Sequence, residues 1–151
     1  IGSLNANLLD DAIEAYSNGD KTEAAEFWSK SCETGNMEGC SSLAILYKDG
    51  DGVKKDMQKA IKLYKKACTS GYMDGCYNLG NLYSEGSGVK QNKEEALKYY
   101  KNACNNGNGN SCHKLGLAYF YGEGVKKDRE KATKFYIKAC QGGSIASCYK
   151  I

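Results

Sequence analysis

The chain is 151 residues long, 41% hydrophobic and 26% charged, with a formal net charge of +3. That is enough chain for one ordinary domain, and its lysines are interleaved with Asp and Glu, which excludes the long basic run of a nucleic-acid binder. No apolar stretch approaches the roughly 20 residues of a membrane helix, so no membrane span is expected.

Every expected element is a helix, since there is no proline and no run with strand alternation. Residues 1–35 read as a divergent first unit. In it Ala24, Trp28 and Ser31 fall on one helix face, and Asp20 with Glu23 forms a capping box. From residue 36 the chain repeats with a period of 36, giving units 36–71, 72–107 and 108–143, all within a single repeat domain. Residues 144–151 open a further helix, truncated or capping. The start at Ile1 rather than Met reads as a mature or trimmed chain that has lost its targeting segment.

Each unit carries two helical patterns. The first has Leu43, Leu46 and Tyr47, repeated as Leu79, Leu82, Tyr83 and as Leu115, Ala118, Tyr119. It stops at GDGV, GSGV or GEGV. These GxG loops have a helix on both sides, so they read as helix–helix turns and not as phosphate loops, which need a preceding strand. The second pattern places Ala60, Tyr64 and Ala67 at i, i+4, i+7, recurring as Ala96, Tyr100, Ala103 and Ala132, Tyr136, Ala139. That spacing is one buried face, and all six periodic tyrosines read as core. Asp56, Asn92 and Asp128 stand as N-caps, and the second helices end at Gly35, Gly71, Gly107 and Gly143.

The eight cysteines form four pairs, each eight residues apart. In one continuous helix such a pair would lie about 12 Å apart, too far for a disulfide, which needs its Cα atoms within about 7 Å. The glycine between them stops one helix, and the next runs back beside it. The expected bridges are therefore Cys32–Cys40, Cys68–Cys76, Cys104–Cys112 and Cys140–Cys148. Each closes a loop worth about 2.5 kcal/mol in the chain-entropy estimate. Zinc is the weaker alternative, because seven intervening residues fall outside the usual close ligand pairs and His113 is the lone histidine; no metal and no cofactor is expected.

Ser111–Lys114, Ser147–Lys150 and Ser87–Lys90 match SxxK, but SDN and KTG elements are missing, and no motif places the histidine beside a nucleophile. Ser111, Lys114 and Ser147 are kept as weak catalytic candidates.

The motif written out by Leu79, Gly80, Tyr83, Gly86, Gly88, Val89 and by Ala96, Tyr99, Tyr100, Lys101, Ala103, Cys104 resembles the Sel1-like repeat, a relative of the tetratricopeptide repeat. With a cysteine pair in each unit, the chain is most similar to the Helicobacter cysteine-rich proteins. Residues 1–19 depart toward a plain tetratricopeptide unit. The resemblance implies an all-α, right-handed α-α superhelix whose first helices line a concave groove. It also implies a secreted or periplasmic monomer that scaffolds a protein or peptide ligand, a host ligand included. The alternative it implies is a penicillin-binding protein with weak β-lactamase activity toward β-lactam or peptidoglycan-like small molecules. Carried over by position, the groove residues are Ser41, Lys48, Tyr77, Asn81, His113, Phe120 and Tyr121. Phe120 and Tyr121 are apolar where sister units have Lys48–Asp49 and Ser84–Glu85, a contrast that hints at a ligand patch.

Overall fold

The computed structural model describes residues 2–151, with side chains from position 7 onward; Ile1, which the first unit was expected to include, lies outside the described residues. The elements are α1 Gly2–Ser17, α2 Lys21–Glu33, α3 Met37–Asp49, α4 Met57–Thr69, α5 Met73–Glu85, α6 Lys93–Asn105, α7 Gly109–Tyr121, α8 Arg129–Gln141 and the single turn α9 Ile145–Cys148. No strand occurs among the described residues, and none of their helices is long and apolar enough to cross a membrane. The chain divides into two compact units, one ending at Gly75 and one beginning at Cys76.

Helix boundaries follow from caps. Asp20, Asp56, Asn92 and Asp128 accept the backbone N–H three residues on, at 2.9–3.0 Å, as the sequence leads one to expect. Asn36 and Asn108 cap α3 and α7 in the same way. At the other end, Gly35, Gly71, Gly107 and Gly143 have φ of 90–94°, the left-handed turn that closes a helix.

In the unit that ends at Gly75, α1 packs on α2, α2 on α3 and α3 on α4. Its core gathers Ala12, Ala24, Trp28, Leu43 and Leu46. In the unit that begins at Cys76, α6 packs on α7, α7 on α8 and α8 on α9, around Ala96, Tyr100, Leu115 and Ala139. Small residues on one helix admit the aromatic ring of the next. A Cβ on Gly80 would stand 2.6 Å from the Tyr100 ring, and one on Gly116 would stand 2.4 Å from Tyr136. This close approach is why the motif reads Leu-Gly in these two units.

Tyr64, Tyr100 and Tyr136 are fully buried. Tyr47, Tyr83 and Tyr119, expected in the core, are half-buried. They lie in the last turn of each first helix, beside the loop that joins the pair, where Tyr83 stacks on Tyr99 and Tyr119 on Phe135, each at 5.5 Å.

The GxGV segments are helix–helix turns. Each is pinned by the cap residue's N–H donating to the tyrosine carbonyl, at 2.9 Å for Asp56 to Tyr47 and 2.8 Å for Asp128 to Tyr119. The second glycine sits against a neighbouring helix start. A Cβ on Gly52 would stand 2.4 Å from the Lys21 backbone, and one on Gly124 would stand 3.0 Å from Lys93. The residue between the glycines adds an ion pair to the same contact, Asp51 with Lys21 and Glu123 with Lys93, both at 3.5 Å.

All four disulfides form. The Cα separations are 4.5 Å for Cys32–Cys40, 4.7 Å for Cys104–Cys112 and 4.8 Å for Cys140–Cys148, and Cys68 and Cys76 are disulfide-bonded as well. No cysteine is free. Bridges of this number persist in an oxidising, non-cytoplasmic environment.

Candidate functional site

The side chains expected to meet a ligand fall on both compact units and are placed differently in each. In the first unit Ser41 is buried, at 5% exposure, so it does not line an open face. It shares the covered i, i+3 stripe of α3 with the buried Ala44, one residue beyond the buried Cys40. Lys48 ends the same helix, half-buried, with its ammonium 3.6 Å from Asp49.

In the second unit α5 and α6 bring two of the expected groove residues, Tyr77 and Asn81, into ordered contacts. Burial raises the Tyr100 hydroxyl well above its ordinary value, so it stays protonated and donates to Asn81 Oδ1 at 2.6 Å. That bond turns the Asn81 oxygen inward and leaves its amide N–H groups for another acceptor. The Tyr77 ring packs at 6.1 Å from the Tyr100 ring. Beside them lies a cleft of about 110 Å³, lined by Ser84, Leu97, Tyr100, Lys114 and Leu117 among others. Ser84 and Leu117 stand one turn beyond Asn81 and His113 on their helices, and Lys114 contributes a cation.

His113 faces α9. Its Nδ1 lies 2.6 Å from Ser147 Oγ, which in turn is 3.1 Å from Ser144 Oγ. The ring is 5.8 Å from Tyr136, whose other neighbour is the Lys150 ammonium at 5.7 Å. Burial holds the imidazole below its ordinary value, and the Lys150 and Lys114 charges push the same way. The sequence places no histidine beside a nucleophile, whereas the structure puts His113 on Ser147. The signal was the period itself: α7 and α9 meet at this contact, whose two residues stand 34 apart, two short of the 36-residue repeat. Ser144 was missed in the same way, whereas Tyr136 was expected in the core and is buried.

Ser147 and Ser111 are both completely buried, and Ser111 Oγ has no hydrogen-bond partner among the described atoms. A covered hydroxyl cannot attack a ligand where it stands, so neither Ser111 nor Ser147 presents a nucleophile. Phe120 is half-buried, and Tyr121 is the most open of the expected residues at 63% exposure. The two rings meet edge to face at 5.0 Å, and the Arg129 guanidinium lies 5.2 Å from Phe120. Among the described residues no group of three or more His, Cys, Asp or Glu side chains gathers as a metal site would require.

Comparison with known proteins agrees with the repeat geometry. The chain is 31% identical to a Sel1 repeat protein from Oxalobacter formigenes, with a TM-score of 0.84 over 92% of this chain and 57% of that one. It is 32% identical to Helicobacter pylori cysteine rich protein B, with a TM-score of 0.71 over 87% of this chain and 95% of that one. Among curated relatives it is 37% identical, over 62 residues, to a Helicobacter pylori protein named "Putative beta-lactamase HcpE". The match covers 36% of this chain and only 18% of that relative's length. Residues 13–36, 38–72, 74–108 and 109–144 each match the family described as Sel1 repeat, the divergent first unit included, and the chain therefore belongs to the Sel1 repeat family.

Proposed function

We propose that this Sel1 repeat protein is a secreted or periplasmic scaffold that binds an extended protein or peptide segment on the faces of its first helices. The observation that carries this reading is the Asn81–Tyr100 arrangement on α5 and α6. A buried phenol donates to the oxygen of a half-exposed amide and so leaves the amide N–H groups for another acceptor, and the Tyr77 ring and the Leu117–Lys114 cleft lie alongside. An extended peptide offers backbone carbonyls for such an amide and side chains for such a cleft. Four disulfides support the placement outside the reducing cytoplasm.

Peptide display against the oxidised chain tests this. Selected peptides should bind saturably, and Asn81→Ala should weaken them about fivefold, the worth of one hydrogen bond of about 1 kcal/mol. Tyr77→Ala should weaken them as well, while Lys62→Gln, on α4, leaves binding unchanged. Peptides indifferent to both Asn81 and Tyr77 would defeat the groove reading.

A second reading, slow β-lactam turnover, is favoured by the His113–Ser147 pair, in which burial keeps the imidazole neutral and able to accept a proton. The burial of Ser147 stands against it. Mixing the chain with a fluorescent penicillin, alongside Ser111→Ala and Ser147→Ala variants, separates the two. Acylation or ring opening abolished by either change supports turnover, and activity indifferent to both removes it.

A further inference from the structure

Two surface pockets repeat the same six residues in units where the chain could have differed. One, of about 390 Å³, is lined by Tyr47, Val53, Lys54, Lys55, Asp56 and Lys59. The other, of about 370 Å³, is lined by Tyr119, Val125, Lys126, Lys127, Asp128 and Lys131. Both volumes fall in the range of small-molecule sites. In each, a lysine ammonium lies near the tyrosine ring, at 5.1 Å for Lys59 and Tyr47 and 5.5 Å for Lys131 and Tyr119. The aspartate is occupied as a helix cap, accepting the backbone N–H of Lys59 or Lys131 at 3.0 Å. None of the six lysines is within ion-pair distance of a described carboxylate, whereas Lys21, Lys93, Lys98 and Lys134 are.

The repeat between them breaks the pattern. Its corresponding residues are Tyr83, Val89, Lys90, Gln91, Asn92 and Glu95, one cation against one anion. The lysines are therefore not a requirement of the GxGV turn, which folds equally well without them. Where they occur, three lysines against one aspartate leave a surplus of two positive charges, held on a rim whose walls are a tyrosine ring, a valine and lysine stems. A phosphomonoester carries about −1.5 to −2 at neutral pH, which matches that surplus, and the Tyr–Val wall would cover an apolar body attached to it.

We infer that the Tyr47–Lys59 and Tyr119–Lys131 pockets are two equivalent binding sites for a phosphomonoester dianion carried on an apolar group. The sites are independent of the α5–α7 cleft and stand or fall without it.

The test is a titration of the isotope-labelled, oxidised full chain with phenyl phosphate at low salt, followed by amide NMR, with inorganic phosphate and phenol as parallel arms. Phenyl phosphate should give saturable shifts confined to residues 47–59 and 119–131, and inorganic phosphate weaker ones there. A Lys54→Gln, Lys55→Gln, Lys59→Gln triple variant should lose about tenfold in affinity at the first pocket and keep the second, as three partly screened charge contacts imply. The counterpart at Lys126, Lys127 and Lys131 should do the reverse. A control with Lys98, Lys101 and Lys138 changed to Gln removes the same charge elsewhere and should leave both sites intact. Shifts that fail to saturate, shifts as large around Tyr83–Glu95, or a control that weakens binding as much as the triple variants would overturn the inference. Equal affinity for inorganic phosphate would overturn its apolar part.

Discussion

Glycines that look alike in the repeat do different physical jobs. Gly35 has φ of +94° with nothing within 4 Å of an added Cβ, whereas Gly52 has φ of +75° with the Lys21 carbonyl at 2.4 Å. Gly35→Ala should therefore cost only the left-handed backbone term of about 1–2 kcal/mol. Gly52→Ala adds a clash with backbone that cannot rotate away, and should cost at least about 2 kcal/mol more than Gly35→Ala. Urea unfolding of both variants checks the order, and equal losses would contradict the close approach. Ser31 makes the opposite case. Its hydroxyl is completely buried without a partner among the described atoms, and the sister positions are Ala67, Ala103 and Ala139. Ser31→Ala should stabilise the chain by about 1 kcal/mol, read as a higher urea midpoint at unchanged slope. A lower midpoint would mean the hydroxyl is satisfied by water.

Helix pairs acquire their specificity where a ring meets a gap, as Tyr100 does at Gly80 and Tyr136 at Gly116. The α7–α9 contact adds a titratable group to such a pair, because His113 is bonded to Ser147. The folded state depresses the His113 pKa through burial and the Lys150 and Lys114 charges. Below the ordinary value near 6.5 the unfolded chain binds the proton more readily than the folded one, so stability rises with pH there. This contribution is complete above about pH 7 and is lost as pH falls through the folded pKa. His113 is the chain's single histidine, so its ring proton NMR signals report the titration without ambiguity. A midpoint at or above 6.5 would reject the depressed value, and His113→Gln should flatten the stability profile between about pH 7 and pH 5.

Four short bridges are distributed along the chain, one in each repeat interval. Each closes a loop of about nine residues, worth about 2.5 kcal/mol in the chain-entropy model, so together they approach 10 kcal/mol as an upper figure. That is comparable with the whole stability of a typical domain, and repeat units with only nearest-neighbour contacts have little in reserve. Full reduction should therefore unfold most of the helix at 37 °C, measured as loss of far-ultraviolet circular dichroism with and without a phosphine reductant. Retention of the helical signal after complete reduction would show that packing alone suffices, and would weaken the argument that the chain depends on an oxidising compartment.

The 36-residue period, the helix caps, the closing glycines and the cysteine pairing were all legible because each depends on contacts close in sequence. Asp56 caps the helix that starts at Met57, and Cys32 reaches Cys40 across one turn. Contacts between helices distant in sequence followed rules the period only hints at. Burial of Ser41, the turning of Asn81 by Tyr100, the seating of His113 on Ser147 and the half-exposure of Tyr47, Tyr83 and Tyr119 each depend on which residue of the next helix arrives opposite. An all-helical, disulfide-stapled repeat follows from the order of the residues alone, since backbone stops and local bridges need nothing more. Which polar side chains stay open to a ligand is settled by packing, because burial is a property of the neighbours and not of the residue.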